Sequence, residues 1–313
     1  MGQLILKPYS FIALLDAVFR IYRRNFSLLF WITAVFFGLP FFAQELINIH
    51  FVGAEAFLGN LPDYLKAFSG EGGGVDVEEI NKLQSLAFYT LPVSIMFLIA
   101  VPLSQGPLIS AVHRNALGQG SGFRDAFRIG RGKYLYLFIS FILVNLLFAV
   151  VFSFLVIPVV LTVGFANMAI GLACLLFIII AVPVFAAFVY ILVIFSLFAQ
   201  AVVIEGYGPI EALIRSVRLI HGNWWRALGI YISIQIINSL IYEFSKFAFS
   251  GLNGLILAIN PDYEILAHAA FATGLTVVQV FTTPVLILGQ TIYFYDLKVR
   301  REAYDIEMMV SQF

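Results

Sequence analysis

The stretch RSVRLIHGNWW at residues 215–225 packs two arginines, a histidine and two tryptophans between apolar segments. Such a set could bind phosphate, do acid–base work through His221, or anchor the chain at a membrane surface. Spacing decides among these. The four histidines, His50, His113, His221 and His268, form no HExxH and no pair at metal-ligand spacing, so no metal site is expected. No GxSxG is present, and GEGGG at 70–74 lacks the lysine of a phosphate-binding loop. The single cysteine, Cys174, can form neither an internal disulfide nor a thiolate cluster. No catalytic residue, cofactor-binding residue or cofactor is expected, and the chain does not read as an enzyme.

A second set of polar side chains sits inside apolar runs: Gln105, Gln200, Gln235, Asn238, Gln279 and Gln290, with Asn145. At helical spacing, Gln235 and Asn238 share one face, and Gln279 and Thr283 share another. These groups either line a polar groove for a substrate or headgroup, or they bond between helices at roughly 0.6 kcal/mol each. No Asp, Glu, Lys or Arg falls near the centre of an apolar run, which counts against ion-coupled carriage. Asp296 is expected to pair with Lys298, Arg300 or Arg301.

The elements that must position these groups follow from composition. The chain is 61% hydrophobic and only 12% charged, where a soluble domain carries about a quarter charged residues. A bilayer core roughly 30 Å thick needs about 20 apolar residues per helix. Six spans result, near 28–49, 86–112, 135–161, 168–203, 227–249 and 269–295. The expected fold is an all-α integral membrane protein forming one membrane domain over 1–313. Pro40, Pro92, Pro102, Pro158, Pro183 and Pro284 fall inside spans, where membrane helices tolerate them as kinks. The opening residues carry Asp16 and three arginines, and do not read as a signal peptide.

Six spans put both termini on one side, together with the loops around 113–134 and 204–226. That side holds 15 of the 18 Lys and Arg residues, leaving only Lys66, Lys82 and Lys246 opposite. The excess of basic residues in cytoplasmic loops then orients both termini into the cytoplasm. A net charge of zero argues against a nucleic-acid partner. On the outer side, the 50–85 loop is acidic, and Asp76 with Glu79 resembles a capping box. Turn signals at Asn253-Gly254 and Asn260-Pro261 mark the last outer loop.

Three cytoplasmic stretches echo one another: DAVFRIYRRNF from Asp16, DAFRIGRGKY from Asp125, and EALIRSVRLIHGNW from Glu211. Each opens with an acid and alanine and contains Arg-x-x-Arg: Arg20/Arg23, Arg128/Arg131 and Arg215/Arg218. Each is expected as a short amphipathic helix on the inner membrane face. Its arginines would meet anionic headgroups, while Phe11, Leu14, Leu15 and Val18, or Leu213, Ile214 and Val217, would face the acyl boundary. Trp224 and Trp225, like Trp31, would mark where a span enters the bilayer. The chain thus reads as three hairpin repeats, 1–117, 118–207 and 208–313, each preceded by its interfacial helix.

The segment AVVIEGYGPIEALIRSVRLIHGNWWRALGI at 201–230 resembles the membrane domain of bacterial glycerophosphoryl diester phosphodiesterases and its stand-alone relatives. The stretches LLDAVFRIYRRNFSLLF and YFYDLKVRREAYDIE are similar to stand-alone members. In the fused enzymes of that family the activity resides in a separate soluble barrel, for which this sequence has no room, so the resemblance transfers no catalytic residue. It implies a non-enzymatic multi-pass protein of the bacterial inner membrane that organises lipids or serves as a scaffold or accessory subunit for envelope proteins. The alternative is a transporter or lipid translocator using a cleft between hairpins. Anionic lipids on the cytoplasmic side and other membrane proteins are the expected partners, and a homo-oligomer stays open.

Overall fold

The computed structural model describes residues 9–50, 77–116, 122–164 and 170–302, which contain helices and no strand. A short helix α1 (Phe11–Arg24) leads into α2 (Phe26–His50), followed by α3 (Val77–Ala116), a short α4 (Phe123–Arg131), α5 (Tyr134–Gly164) and α6 (Ile170–Ile194). After a break at 195–197, an α-turn (Phe198–Gln200) and a π-helical turn (Ala201–Glu205) complete that pass. A short α7 (Pro209–Ile220), the long α8 (Trp224–Ile259), a 3-10 turn (Pro261–Tyr263) and α9 (Glu264–Glu302) end the fold. Six of these stretches are long and apolar enough to cross a membrane: Phe26–Ile49, Phe88–Asn115, Tyr134–Phe154, Ile179–Glu205, Trp224–Ile259 and Pro261–Glu302. Each matches one expected span.

Prolines inside spans do not end the helices. Pro40, Pro92, Pro102, Pro183 and Pro284 all lie within continuous helix. Proline removes one ladder donor, and away from water a neighbour must supply another. The carbonyl that Pro284 frees is that of Val280; that of its neighbour Phe281 accepts from the Tyr22 hydroxyl at 2.7 Å.

One turn expectation is corrected. Asn253-Gly254 lies inside α8, which runs on to Ile259, and only Asn260-Pro261 makes a turn. The local signal yields because the helical ladder satisfies the backbone, and because α9 packs alongside, where Phe249 fills the space beside Gly274. The acidic 51–76 segment, Asp76 of the capping box, the 165–169 break and the tail beyond 302 lie outside the described residues.

Helix α9 is the axis of the bundle. It packs against α8, α2, α1 and α3, and residues 291–299 are buried one after another. A helix stretch buried on every side needs small or shape-matched neighbours, since lipid supplies no hydrophobic drive between helices. Gly289 fits that need, with Ile234 of α8 and Val18 of α1 lying over it. Helix α1 runs antiparallel along α9: Tyr9 meets Asp296, Val18 meets Gly289 and Tyr22 meets Phe281. Leu14 and Val18 are fully buried in the core, so they do not face the acyl boundary as their spacing suggested. The face was read correctly as apolar; protein covers Leu14 and Val18, while Phe11 stays exposed.

The break at 195–197 is stitched from α7. The Ser216 hydroxyl donates to the Ile194 carbonyl at 2.8 Å and accepts from the Leu197 amide at 3.1 Å. Ser216 is fully buried, so both backbone groups depend on it. Ser216→Ala is expected to destabilise the protein by about 1–2 kcal/mol, read as a lower melting temperature in detergent. Ser216→Cys should recover part of that loss.

Candidate functional site

Polar chemistry collects in two places, and the basic end of the bundle is the first. Glu205, at the close of the π-helical turn, reaches both Arg215 of α7 and Lys298 of α9, the latter at 3.0 Å. Arg215 donates from Nε and Nη2 to Glu205 at 2.7 and 2.8 Å, and from Nη1 and Nη2 to Glu302 at 2.5 and 2.7 Å. The two carboxylates hold its pKa above the ordinary arginine value. Gly206, at φ +78°, permits the left-handed cap that ends the π turn.

Two residues before Lys298 on α9, Asp296 is fully buried and accepts from Arg226 at 3.0 Å, from Arg300 at 3.1 Å and from the Tyr9 amide at 2.7 Å. Arg226 and Arg300 also donate to the Tyr9 carbonyl at 2.6 and 2.7 Å. These bonds tie the N-terminal segment, the start of α8 and the end of α9 into one block. Of the partners expected for Asp296, Arg300 is present, and Arg226 was not anticipated.

The arginines of the three echoing stretches therefore differ. Arg20 pairs with Asp16, and Arg128 with Asp125 at 3.5 Å, with both arginine side chains largely exposed. Arg23, Arg131 and Arg218 are also exposed, and the Arg218 carbonyl accepts from Arg301 at 2.7 Å. Arg215 is the departure: only 13% of its side chain is exposed, and nearly every N–H is already committed to a carboxylate. It is a structural ion-pair centre with little left to offer a headgroup. In its stretch the leading acid, Glu211, caps the Gly208 amide at 3.2 Å instead of pairing forward. Trp224 is half-buried and stacks on Tyr190, with ring centroids 6.0 Å apart, while Trp225 is exposed.

Between α1, α2 and α4 there is an open hollow of about 700 Å³. Arg24, Asn25 and Ser27 form its polar rim, and Leu28, Trp31, Val35 and Phe123 its apolar wall.

The second place is a cleft of about 280 Å³ lined by α2, α8 and α9. Gln235, Asn238 and Gln279 line it, together with Thr283, Tyr242 and Glu243. Three of the six expected groove residues thus converge. Gln105, Gln200 and Gln290 are not among its lining residues. Gln200 is fully buried with neither amide atom partnered among the described residues, and the Gln105 carbonyl is likewise unpartnered.

Sequence reasoning missed Glu45. It sits in the last third of α2 and is 1% exposed. Its carboxylate accepts from the Tyr242 hydroxyl at 3.0 Å, from the Gln279 amide and from Asn48 at 3.4 Å. All three donors are neutral, and among the described residues no basic group lies within ion-pair distance. An acid inside an apolar run is by default a functional signal in a membrane protein, and that signal was available in FFAQELINIH. The absence of mid-span acids counted against ion-coupled carriage, but a buried acid does sit behind this cleft, displaced toward the helix end.

No curated protein and no solved structure matches the chain. A family model does match, over residues 80–296, and it is described as a domain of unknown function, DUF7847. That match takes in α4, α5, α6, α7 and α8 whole, with most of α3 and α9, and so covers more than half the sequence. The chain belongs to the DUF7847 family.

Proposed function

We propose that the protein is a non-enzymatic binding protein of a bacterial inner membrane that organises anionic lipid on its basic, cytoplasmic face. The observation that carries this reading is the hollow beside α1, α2 and α4, where Arg24 and two small polar side chains rim a wall of Leu28, Trp31, Val35 and Phe123. A cation above an apolar wall suits a phosphate headgroup with its acyl chains below. Arg23, Arg128 and Arg131 are exposed on the adjoining short helices. In this reading α1, α4 and α7 open three related hairpins at the same membrane face, and the likeness to the membrane domain of glycerophosphoryl diester phosphodiesterases supports a role without catalysis. Scaffolding of other envelope proteins, or self-association, would use the same membrane-embedded body.

Replacing Arg24, Arg128 and Arg131 by glutamine tests it. Each loss should weaken binding to anionic vesicles about fivefold, with fewer anionic lipids retained in native mass spectrometry and an unchanged melting temperature. Equal retention in the triple variant would sink the lipid-organising reading.

A second reading, a transporter or lipid translocator, is favoured by one observation: a buried carboxylate behind an open cleft. Changing Gln235, Asn238 and Gln279 to leucine would abolish flux in a translocator while leaving retention of anionic lipid intact. Flux that survives the triple leucine variant counts against it.

A further inference from the structure

The cleft between α2, α8 and α9 holds two buried acceptors that no donor of the described residues meets. The Asn238 Oδ1 and Gln279 Oε1 atoms are buried without a hydrogen-bond partner among the described residues. Both residues line the cavity. A buried amide oxygen left unpaired is costly, so its persistence points to a donor that the protein itself does not supply. Two carboxylates set the field there, Glu45 one hydrogen bond behind the wall and Glu243 on it. Neither has a basic partner within ion-pair distance among the described residues.

We propose that this cleft binds a protonated primary amine, its ammonium donating to Asn238 Oδ1 and Gln279 Oε1 in the negative field of Glu45 and Glu243. Three features select that chemistry. An ammonium brings N–H donors and a positive charge together, which is what the two orphan oxygens and the two carboxylates lack. A quaternary ammonium brings charge but no N–H, and would leave the oxygens unpaired. A bare metal cation wants a close shell of oxygens, whereas a volume of about 280 Å³, walled in part by the rings of Phe41 and Tyr242, has room for an organic headgroup. Tyr242 and Gln279 have a double role, since their donors are fixed on Glu45 and this leaves the Gln279 oxygen turned away from that carboxylate.

The amine could belong to an aminoethyl phospholipid headgroup or to a free solute. The inference rests on the cleft named in the second reading above, and not on the arginine hollow. The test uses full-length protein in detergent, titrated with a short-chain phospholipid bearing an aminoethyl headgroup, its trimethylated counterpart, free ethanolamine and sodium chloride, and followed by calorimetry. The aminoethyl lipid should bind at least about tenfold more tightly than the trimethylated one, and Glu45→Gln or Asn238→Leu should each weaken it by about tenfold or more. Glu243→Gln, further from the core, provides a variant in which folding is not at issue.

Ethanolamine matching the lipid would assign a soluble amine, and a strong preference for the lipid would assign a headgroup; both support the proposal. Equal binding of the two lipids overturns it, as does saturation by sodium alone or affinity unchanged in all three variants. If amine binding fails while arginine-dependent retention of anionic lipid persists, this inference falls and the lipid-organising reading stands. Loss of the arginine dependence with amine binding intact has the opposite meaning.

Discussion

Arg215→Gln is expected to melt the protein roughly 10 °C lower than the parent. The side chains it joins are mostly buried, with Arg215 13%, Glu205 12% and Glu302 32% exposed. Removing the one guanidinium that serves both carboxylates leaves them facing each other, with only Lys298 on Glu205 among the described residues. Breaking a buried pair in this way costs about 3–5 kcal/mol, and the partial exposure of Glu302 puts the expectation toward the lower figure. Arg215→Lys keeps the charge but not the fork that grips two carboxylates at once, so it should fall between. Arg218→Gln, three residues on and exposed, should change stability by less than about 0.5 kcal/mol. Thermal unfolding in one detergent compares all three. If Arg215 were a headgroup anchor, its glutamine variant would lose anionic lipid at an unchanged melting temperature, as the Arg128 variant is expected to do.

The contrast between Arg215 and Arg128 shows what the sequence alone could resolve. Both occupy the same place in an Arg-x-x-Arg pattern, and spacing records only which helix face a side chain takes. The partners of Arg215 are 10 and 87 positions away, so no local period reports them. The six spans were legible because hydropathy is a property of a contiguous window, and each expected span overlies a long apolar helix. Glu45 differs from Arg215: the acid itself was legible inside the apolar run FFAQELINIH, and only its donors Tyr242 and Gln279, 197 and 234 positions away, were not. Gln235 and Asn238 were correctly placed on one face, and Gln279 joins them because α8 and α9 pack as neighbours. Gln105, Gln200 and Gln290 carried the same compositional signal, and only tertiary packing separates them from the cleft.

A second large effect is expected where two helix backbones touch. Gly106 of α3 and Gly130 of α4 meet so closely that a Cβ on Gly130 would lie 2.5 Å from the Pro107 ring and nitrogen. A Cβ on Gly106 would lie 2.9 Å from the Gly130 Cα and carbonyl oxygen. Helix propensity alone predicts that Gly130→Ala stabilises by about 1 kcal/mol. The packing predicts the opposite sign. The obstructing atoms are backbone and a proline ring, which cannot rotate aside, so α4 must lift off α3, at a cost of about 3 kcal/mol. The only described ion pair across this contact, Arg114 with Asp125 at 3.9 Å, is too long to hold the helices together. Gly38 and Gly254 serve as controls: both are helical with nothing within 4 Å of an added Cβ, and alanine there should be neutral or stabilising. Melting curves of Gly130→Ala, Gly106→Ala, Gly38→Ala and Gly254→Ala decide the matter by sign alone. Because α4 carries Arg128 and Arg131 and contributes Phe123 to the hollow beside α2, lifting it should also lower anionic-lipid retention. A Gly130→Ala protein that melts higher than the parent, with its lipid intact, would mean that the α3–α4 contact is looser than these distances state.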